Sequence, residues 1–485
     1  MTSLRFAASH LIIALFVLLP SITCGADGPT RQEAVDAMHR AVRFFRNKCS
    51  TSGGYVYRVS DDLTKREGED RVDETMAWVE PPGTPAVGTA YLDAYRLTGD
   101  PMLLDAAKET ADALVRGQLV SGGWMGFIEF DPEKRKQYAY RVEGEMVDGR
   151  KNWTTYDDDK SQSAIRFLMQ LDKTLEFENE TIHEAARYAL NATVEAQYPN
   201  GAWPQQFKEF PQAEEFPVLQ ASFPDEWPRQ FPDVRYTSHY TLNDDTISDL
   251  ITTMLDAWDI YGDERFLVSA KHGGDFLLLA QLPEPQPGWA QQYDREMHPV
   301  WARKFEPPAV TGGESQGAMR TLMMLYRRTS DDKYLEPIPR AIAYYRSSLL
   351  PDGRLARFYE LGSNRPLYFT KNYQLTYDDS DMPTHYGFKS SSHLDELEKD
   401  YDQLRRHSLA NLESNEEPAM PRMSGKLRRH TAEVLSSLDE RGAWVQDGRM
   451  RNFGEDNDTR RVIESATFAK NLRVLATYIA AMGAE

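Results

Sequence analysis

The sequence predicts an all-α fold: an α/α toroid, a closed or incomplete barrel of helical hairpins with long loops at one mouth. Three observations lead there. A Gly closely followed by an aromatic residue or a substitute recurs along the 485 residues, as Gly53-Gly-Tyr55, Gly122-Gly-Trp124, Gly201-Ala-Trp203, Gly288-Trp289, Gly353-Arg-Leu355 and Gly442-Ala-Trp444. These marks stand 65 to 89 residues apart, roughly the length of two ordinary helices and their loops. Between them, apolar residues fall at helical spacing in paired segments. About six such hairpins suit a ring better than an open solenoid, which would need polar capping units at its ends.

In chain order, residues 1–26 read as a secretory signal peptide: Arg5, the apolar run Leu11–Leu19, Pro20 and small residues near Cys24-Gly-Ala26. The run is too short to span a bilayer comfortably. Cleavage is expected rather than lipid attachment at Cys24, because Ser21-Ile-Thr23 does not resemble a lipobox. Residues 27–485 are then expected to form one exported toroid, secreted or periplasmic and monomeric. Cys49 is its only thiol, so core packing rather than a disulfide must hold it together.

One helix of each pair precedes the Gly mark. Examples are Ala106–Val115, Ile182–Leu190 running on to Ala196, Phe266–Leu279 and Ala341–Leu349. Gly after such a run fits a left-handed C-cap. The other helix opens with Ser, Thr or an acid and then turns apolar: Thr84–Leu92, Ser161–Leu168, Thr246–Ile251, Glu314–Met319 and Glu464–Ala469. Short acidic links join the two on the far side, at Thr98-Gly-Asp100, Tyr261-Gly-Asp263 and Thr329–Asp332. Long insertions at 125–156, 207–240 and 358–395 crowd the opposite rim, where functional loops are the usual reason for such length. Residues 396–437 read as a charged helix pair at the closing edge of the ring.

Composition is that of an ordinary globular chain, 41% hydrophobic and 27% charged, with 75 acids against 56 Lys and Arg and a net charge of −19. Such a surface excludes nucleic acid as a partner, since phosphate binding needs fields of Lys and Arg. No Cys/His pairs stand at zinc spacing, and neither a Gly-rich phosphate loop nor a Gly-x-Ser-x-Gly elbow occurs.

Four places bring polar groups to the predicted mouth. They are Tyr156-Asp-Asp-Asp-Lys-Ser161, Asn243-Asp-Asp245, Tyr293-Asp294 with Arg303 and Glu306, and Arg354, Arg357, Glu360 and Arg365. An acid at a helix start can be a simple cap, but one cap does not explain two acids in a row plus an Asn. Oxygen-only ligands favour calcium or magnesium.

Several stretches in order carry a resemblance: Ala196-Gln-Tyr-Pro-Asn-Gly-Ala-Trp-Pro-Gln205, Tyr240–Asp245, Trp289-Ala-Gln-Gln-Tyr-Asp294, Ala302-Arg-Lys-Phe-Glu-Pro307, Gly313-Glu-Ser315, Leu355–Glu360 and Ser363-Asn-Arg-Pro-Leu367. Together they resemble the pectic acid lyases of polysaccharide lyase family ten over roughly residues 155–370. The resemblance implies a helical toroid that cleaves polygalacturonate, an acidic polysaccharide, by β-elimination with Ca2+. It places Asn243, Asp244, Asp245 and Asp294 on the metal side, Arg365 on the proton-abstracting base and Arg303 on a second arginine of the cleft. Lys160, Arg357, Trp203 and Trp289 join Arg303 as candidate substrate contacts. The chain departs from the family where Asp157-Asp-Asp-Lys-Ser-Gln162 replaces Asp-Asn-Gly-Ala-Thr-Thr, where Met125-Gly126 follows Trp124, and where Tyr293 precedes Asp294.

The residue types suit that chemistry. A calcium ion on a uronate carboxylate would stabilise the carbanion that develops at C5. An Arg base would need its pKa lowered from above about 12, as burial beside calcium and Arg303 would do. Two other readings stay open. One is a glycoside hydrolase using paired carboxylates such as Asp158 and Asp245. The other is a non-catalytic binder of acidic glycans.

Overall fold

The computed structural model describes residues 28–144, 148–233, 235–406 and 420–483. The expected signal peptide and Cys24 lie outside them. Twelve helices are described: α1 (Arg31–Phe44), α2 (Thr84–Thr98), α3 (Pro101–Gly117), α4 (Lys160–Thr174), α5 (Glu180–Glu195), α6 (Thr246–Tyr261), α7 (Glu264–Ala280), α8 (Gly312–Thr329), α9 (Ile338–Ser347), α10 (Leu394–Arg406), α11 (Gly425–Ser437) and α12 (Ser465–Gly483).

These helices make an α/α toroid. The even-numbered ones line its inside: α12 packs on α2, α2 on α4, α4 on α6, α6 on α8 and α8 on α10. Odd-numbered helices form the outer layer, with α3 against α5, α5 against α7 and α1 against α11. The chain's two ends complete one hairpin, because α1 packs on α12. The acidic links act as expected. Asp100 accepts the Met102 N–H ahead of Pro101, and Asp263 accepts that of Arg265. Left-handed glycines, Gly99 and Gly262, end α2 and α6.

The recurring Gly-aromatic marks follow the outer helices, and each half has a job. Gly53, Gly122, Gly201 and Gly442 have φ of +88°, +116°, +91° and +93°. A Cβ on Gly53 would stand 2.3 Å from the Glu109 carbonyl oxygen of α3, and one on Gly201 2.0 Å from that of His272 in α7. On Gly442 it would meet the Arg40 oxygen of α1 at 2.6 Å, so the same close approach repeats where the ring joins its ends. The following Trp reaches back to its own outer helix. Trp124, Trp203, Trp289 and Trp444 donate their indole N–H to the carbonyls of Leu114, Thr193, Leu277 and Val434 at 2.8–3.0 Å. A buried indole needs that acceptor.

The long insertions form short strands over one end of the ring. Ala309–Thr311, Phe358–Glu360, Pro366–Phe369 and Leu375–Thr376 make a four-stranded antiparallel sheet. It has its own apolar cluster of Trp301, Phe358, Leu367, Phe369 and Phe388, apart from the core between the helix layers. Cys49 is buried and free, its thiol pushed up to about 12 by burial.

Candidate active site

Two inner helices begin with the same unusual turn. Asp157–Asp159 precedes α4 and Asn243–Asp245 precedes α6, each as a single 3-10 turn. In both, the second and third residues are left-handed: φ is 49° at Asp158, 59° at Asp159, 51° at Asp244 and 55° at Asp245. Asp tolerates this region better than most residues, yet such a conformation costs about 1–2 kcal/mol each time and persists where the surroundings enforce it. Strands enforce it here. Thr154–Thr155 pairs with Gln206–Phe207, and Tyr240–Thr241 pairs with Gln292–Tyr293.

The turns touch, and like positions meet. Carboxylate oxygens of Asp157, Asp158 and Asp244 all lie within 4.8 Å of one another. Burial pushes the Asp244 carboxyl up to about 7, with the charges of Asp158 and Asp157 adding to it. Burial also raises Asp157. The third residues face each other elsewhere. Asp159 is bound by the Arg166 guanidinium at 2.5 and 2.6 Å and feels the charge of Asp245.

Lys160 is buried against one side of this cluster, 2.7 Å from Glu80, 3.4 Å from Asp158 and 3.6 Å from Asp157. Burial lowers its pKa, but these acids more than reverse that and the net shift is upward. Glu69, Glu80 and Asp158 form a second close acidic group around it.

On the other side stand two arginines. Arg303 forks onto Glu306, which is fully buried and also accepts the Tyr386 hydroxyl at 2.8 Å. Arg357 lies 3.1 Å from Glu314 and 3.3 Å from the Asn243 amide oxygen. Burial acts to lower both arginines; Glu306 acting on Arg303, and Glu314 on Arg357, turn the net shift upward, helped by Asp244. Glu314 Oε2, Gln291 Oε1 and Arg357 Nε are buried with no hydrogen-bond partner. Leaving such atoms unpaired costs about 1–3 kcal/mol each, so a set of three at one cluster marks a place for a ligand. The oxygen-rich donor set fits a hard divalent cation.

The structure therefore corrects several expectations. Asn243 and Asp244 belong to the site, but Asp245 is exposed and interacts with Asp159 and Asp249 instead. Asp294 closes a turn, accepting the Glu296 and His298 backbone N–H groups at 3.0 and 2.9 Å. The register explains why: Tyr293 pairs with Tyr240, so Asp294 lies on the side of that pair away from Asn243. Trp203 and Trp289 are fully buried and have no face to offer a sugar. Arg365 is exposed, with its guanidinium 3.4 Å over the Tyr377 ring. Its backbone carbonyl accepts the Glu360 N–H, which places it roughly 10 Å of strand from Arg357. Lys160 is held by acids rather than presented. Arg303 and Arg357 do reach the site. Asp158 and Asp245, the carboxylates considered for a hydrolase, fall into different groups. Glu69, Glu80 and Tyr386 carried no signal beyond being polar residues in loops, while Gln291 and Glu314 stand inside stretches that carry the resemblance but were given no role there.

Residues 134–354 match the pectic acid lyase family. The matched segment contains both strained turns, Arg303, Glu306 and Glu314, and ends three residues before Arg357. Glu69 and Glu80 come from outside it. The match supports a polysaccharide lyase. Among solved structures, a substituted family 10 polysaccharide lyase from Cellvibrio cellulosa in complex with trigalacturonic acid is 20% identical. It covers 61% of this chain and 92% of its own, with a TM-score of 0.45. A D-mannose isomerase is 12% identical over 94% and 98%, TM-score 0.42. A GH76 α-mannanase from Bacteroides thetaiotaomicron is 11% identical over 93% and 96%, TM-score 0.41. No curated protein sequence matches the chain.

Proposed function

We propose that this protein is an exported pectate lyase that cleaves polygalacturonate by calcium-assisted β-elimination. The observation that carries the reading is the contact of Asp157, Asp158 and Asp244 beside Arg303 and Arg357, within a segment that matches pectic acid lyases. Calcium held by those three carboxylates would draw charge from a uronate carboxylate and acidify the neighbouring C5 proton. Both Arg303 and Arg357 point at the cluster, and Arg357, kept charged by Glu314, is the fork suited to bind and orient a uronate carboxylate. Glu306 and Glu314 fix their direction.

The base role that the resemblance gave Arg365 passes in this reading to Arg303, whose charge is felt by both Asp244 and Asp157. Neutralising Asp244 would act to lower Arg303, against the larger pull of Glu306 that holds it protonated, so the base role also requires that the Glu306 fork loosen when substrate binds. Among the described residues no helix is long and apolar enough to cross a membrane, which suits action on an extracellular polymer.

One observation favours a second reading. A carboxyl pushed up to about 7 beside another carboxylate is what a glycoside hydrolase needs in its general acid. Product chemistry separates the two. A lyase leaves a C=C bond that absorbs in the ultraviolet, and it stops when a chelator is added. Hydrolysis gives reducing ends without that absorbance. Polygalacturonate converted only to saturated products would end the lyase proposal.

A further inference from the structure

Next to the acid cluster, and separate from it, lies a groove of about 560 Å³ lined by Arg229, Phe231, Trp301, Lys304, Tyr373 and Tyr377. Lys304 lines it, and Arg365 adjoins it through the ring of Tyr377. Lys304 Nζ lies 3.8 Å over the Tyr373 ring, and the Arg365 guanidinium 3.4 Å over that of Tyr377. Both are exposed, and neither has a carboxylate at ion-pair distance among the described residues. Arg229, in the same groove, is bound to Glu360.

The rings beneath the two cations are fixed. Tyr377 donates its hydroxyl to Glu360 at 2.8 Å, and Glu360 is also held by Ser363 and Arg229. Tyr373 packs against Phe305 and His385. Aromatic faces hold cations in place without neutralising them, so the charges remain available to an anion. The groove also continues from the acid cluster along the chain itself. Lys304 follows Arg303, and Phe305 packs on Tyr386, whose hydroxyl meets Glu306.

We propose that this groove is a distal subsite that takes uronate units of a polyanionic glycan beyond the cleavage point, with Lys304 and Arg365 each receiving a carboxylate. The inference rests on the lyase reading for its ligand class and extends it: the chain grips a run of uronates, and long polymers are bound in preference to short ones. Tyr373 and Tyr377 are positioning residues that hold the cations.

The test is affinity electrophoresis through gels containing polygalacturonate, with a chelator present so that no turnover occurs. Wild type is compared with Lys304→Ala, Arg365→Ala, the double variant, and Lys108→Ala on the outer surface as a charge-matched control. Each single variant should bind about tenfold more weakly, the size of one lost charge-assisted bond, and the double variant more weakly still. The control should migrate like wild type, and neutral galactan should retard none of them. Tyr377→Leu should weaken binding in the same direction as Arg365→Ala. A wild-type chain that is not retarded, or Lys304 and Arg365 variants retarded as strongly as wild type, overturns the proposal. Assaying the same proteins with calcium for ultraviolet-absorbing product keeps the two ideas apart. Lost retardation with no product from any chain leaves the groove standing and removes the lyase reading.

Discussion

Ahead of α4 the chain reads Asp157-Asp-Asp159-Lys160; ahead of α6 it reads Asn243-Asp-Asp245-Thr246. The two turns share backbone angles, strand supports and position at the mouth. They differ in counter-charge. The α4 turn brings Lys160 with it, locked to Glu80, Asp158 and Asp157. At the equivalent position the α6 turn has Thr246, whose hydroxyl donates to the Asn243 carbonyl. So the acid at the tip of the α6 turn is the one burial pushes up to about 7. One turn carries its cation as part of the fold; the other does not, and in the proposed reading it takes calcium.

The largest expected effect comes from removing the acid that lacks a counter-ion. Asp244→Asn should lower calcium-dependent cleavage by about a thousandfold or more, while Asp158→Asn, still supported by Lys160, should lower it by about ten- to a hundredfold. Initial rates of ultraviolet-absorbing product decide it. Equal losses in the two variants would break the asymmetry.

Next, removing the built-in cation should make the turns alike. Lys160→Gln takes from Glu80, Asp157 and Asp158 the cation they share, and losing one side of such a buried pair costs about 3 kcal/mol. Denaturant unfolding in chelator should show that loss, and calcium should restore part of it.

A smaller effect follows from pH. The folded Asp244 carboxyl is raised above its ordinary value of 3.8, so its stabilising contribution is full below about pH 4 and is lost as pH rises through about 7. Asp249, raised to the same value mainly by burial, behaves likewise. Bound calcium neutralises Asp244 but not Asp249. The Tm difference between calcium and chelator should therefore grow as pH rises from 4 to 7, reaching a few degrees at saturating calcium. A difference that stays flat would detach Asp244 from the cation.

The fold was legible where the sequence repeats a physical requirement. Gly201 and Gly442 must be Gly because a neighbouring helix passes within a Cβ radius, and Trp203 and Trp444 need one particular carbonyl. Both demands recur in several units, so they surface as a pattern. That regularity also misled: the same fixed geometry buries Trp203 and Trp289 beyond reach of a sugar. The hairpin of α12 with α1 was hidden because its halves lie at opposite ends of the chain. In the site, Asp244 stood out as a second acid where one cap suffices. Asp294 was misplaced because strand register, invisible in one sequence, sets which end of a pair an acid occupies. Glu80 arrives from a loop and Glu314 from the first turn of α8, and their meeting shows only in three dimensions.

The smallest expected effect tests the shared backbone strain. Asp245→Ala should be about 1 kcal/mol less stable than Asp245→Gly, because Ala pays for the left-handed angle and Gly does not. The same gap at Asp159 would show that both turns are held by equal force.

Calorimetric titration of calcium into the protein at pH 8 tests the central claim most directly. The account predicts that wild type binds calcium, that Asp244→Asn abolishes the binding, and that Asp245→Asn and Asp294→Asn leave it intact. Calcium binding that survives Asp244→Asn and disappears with Asp294→Asn would contradict it.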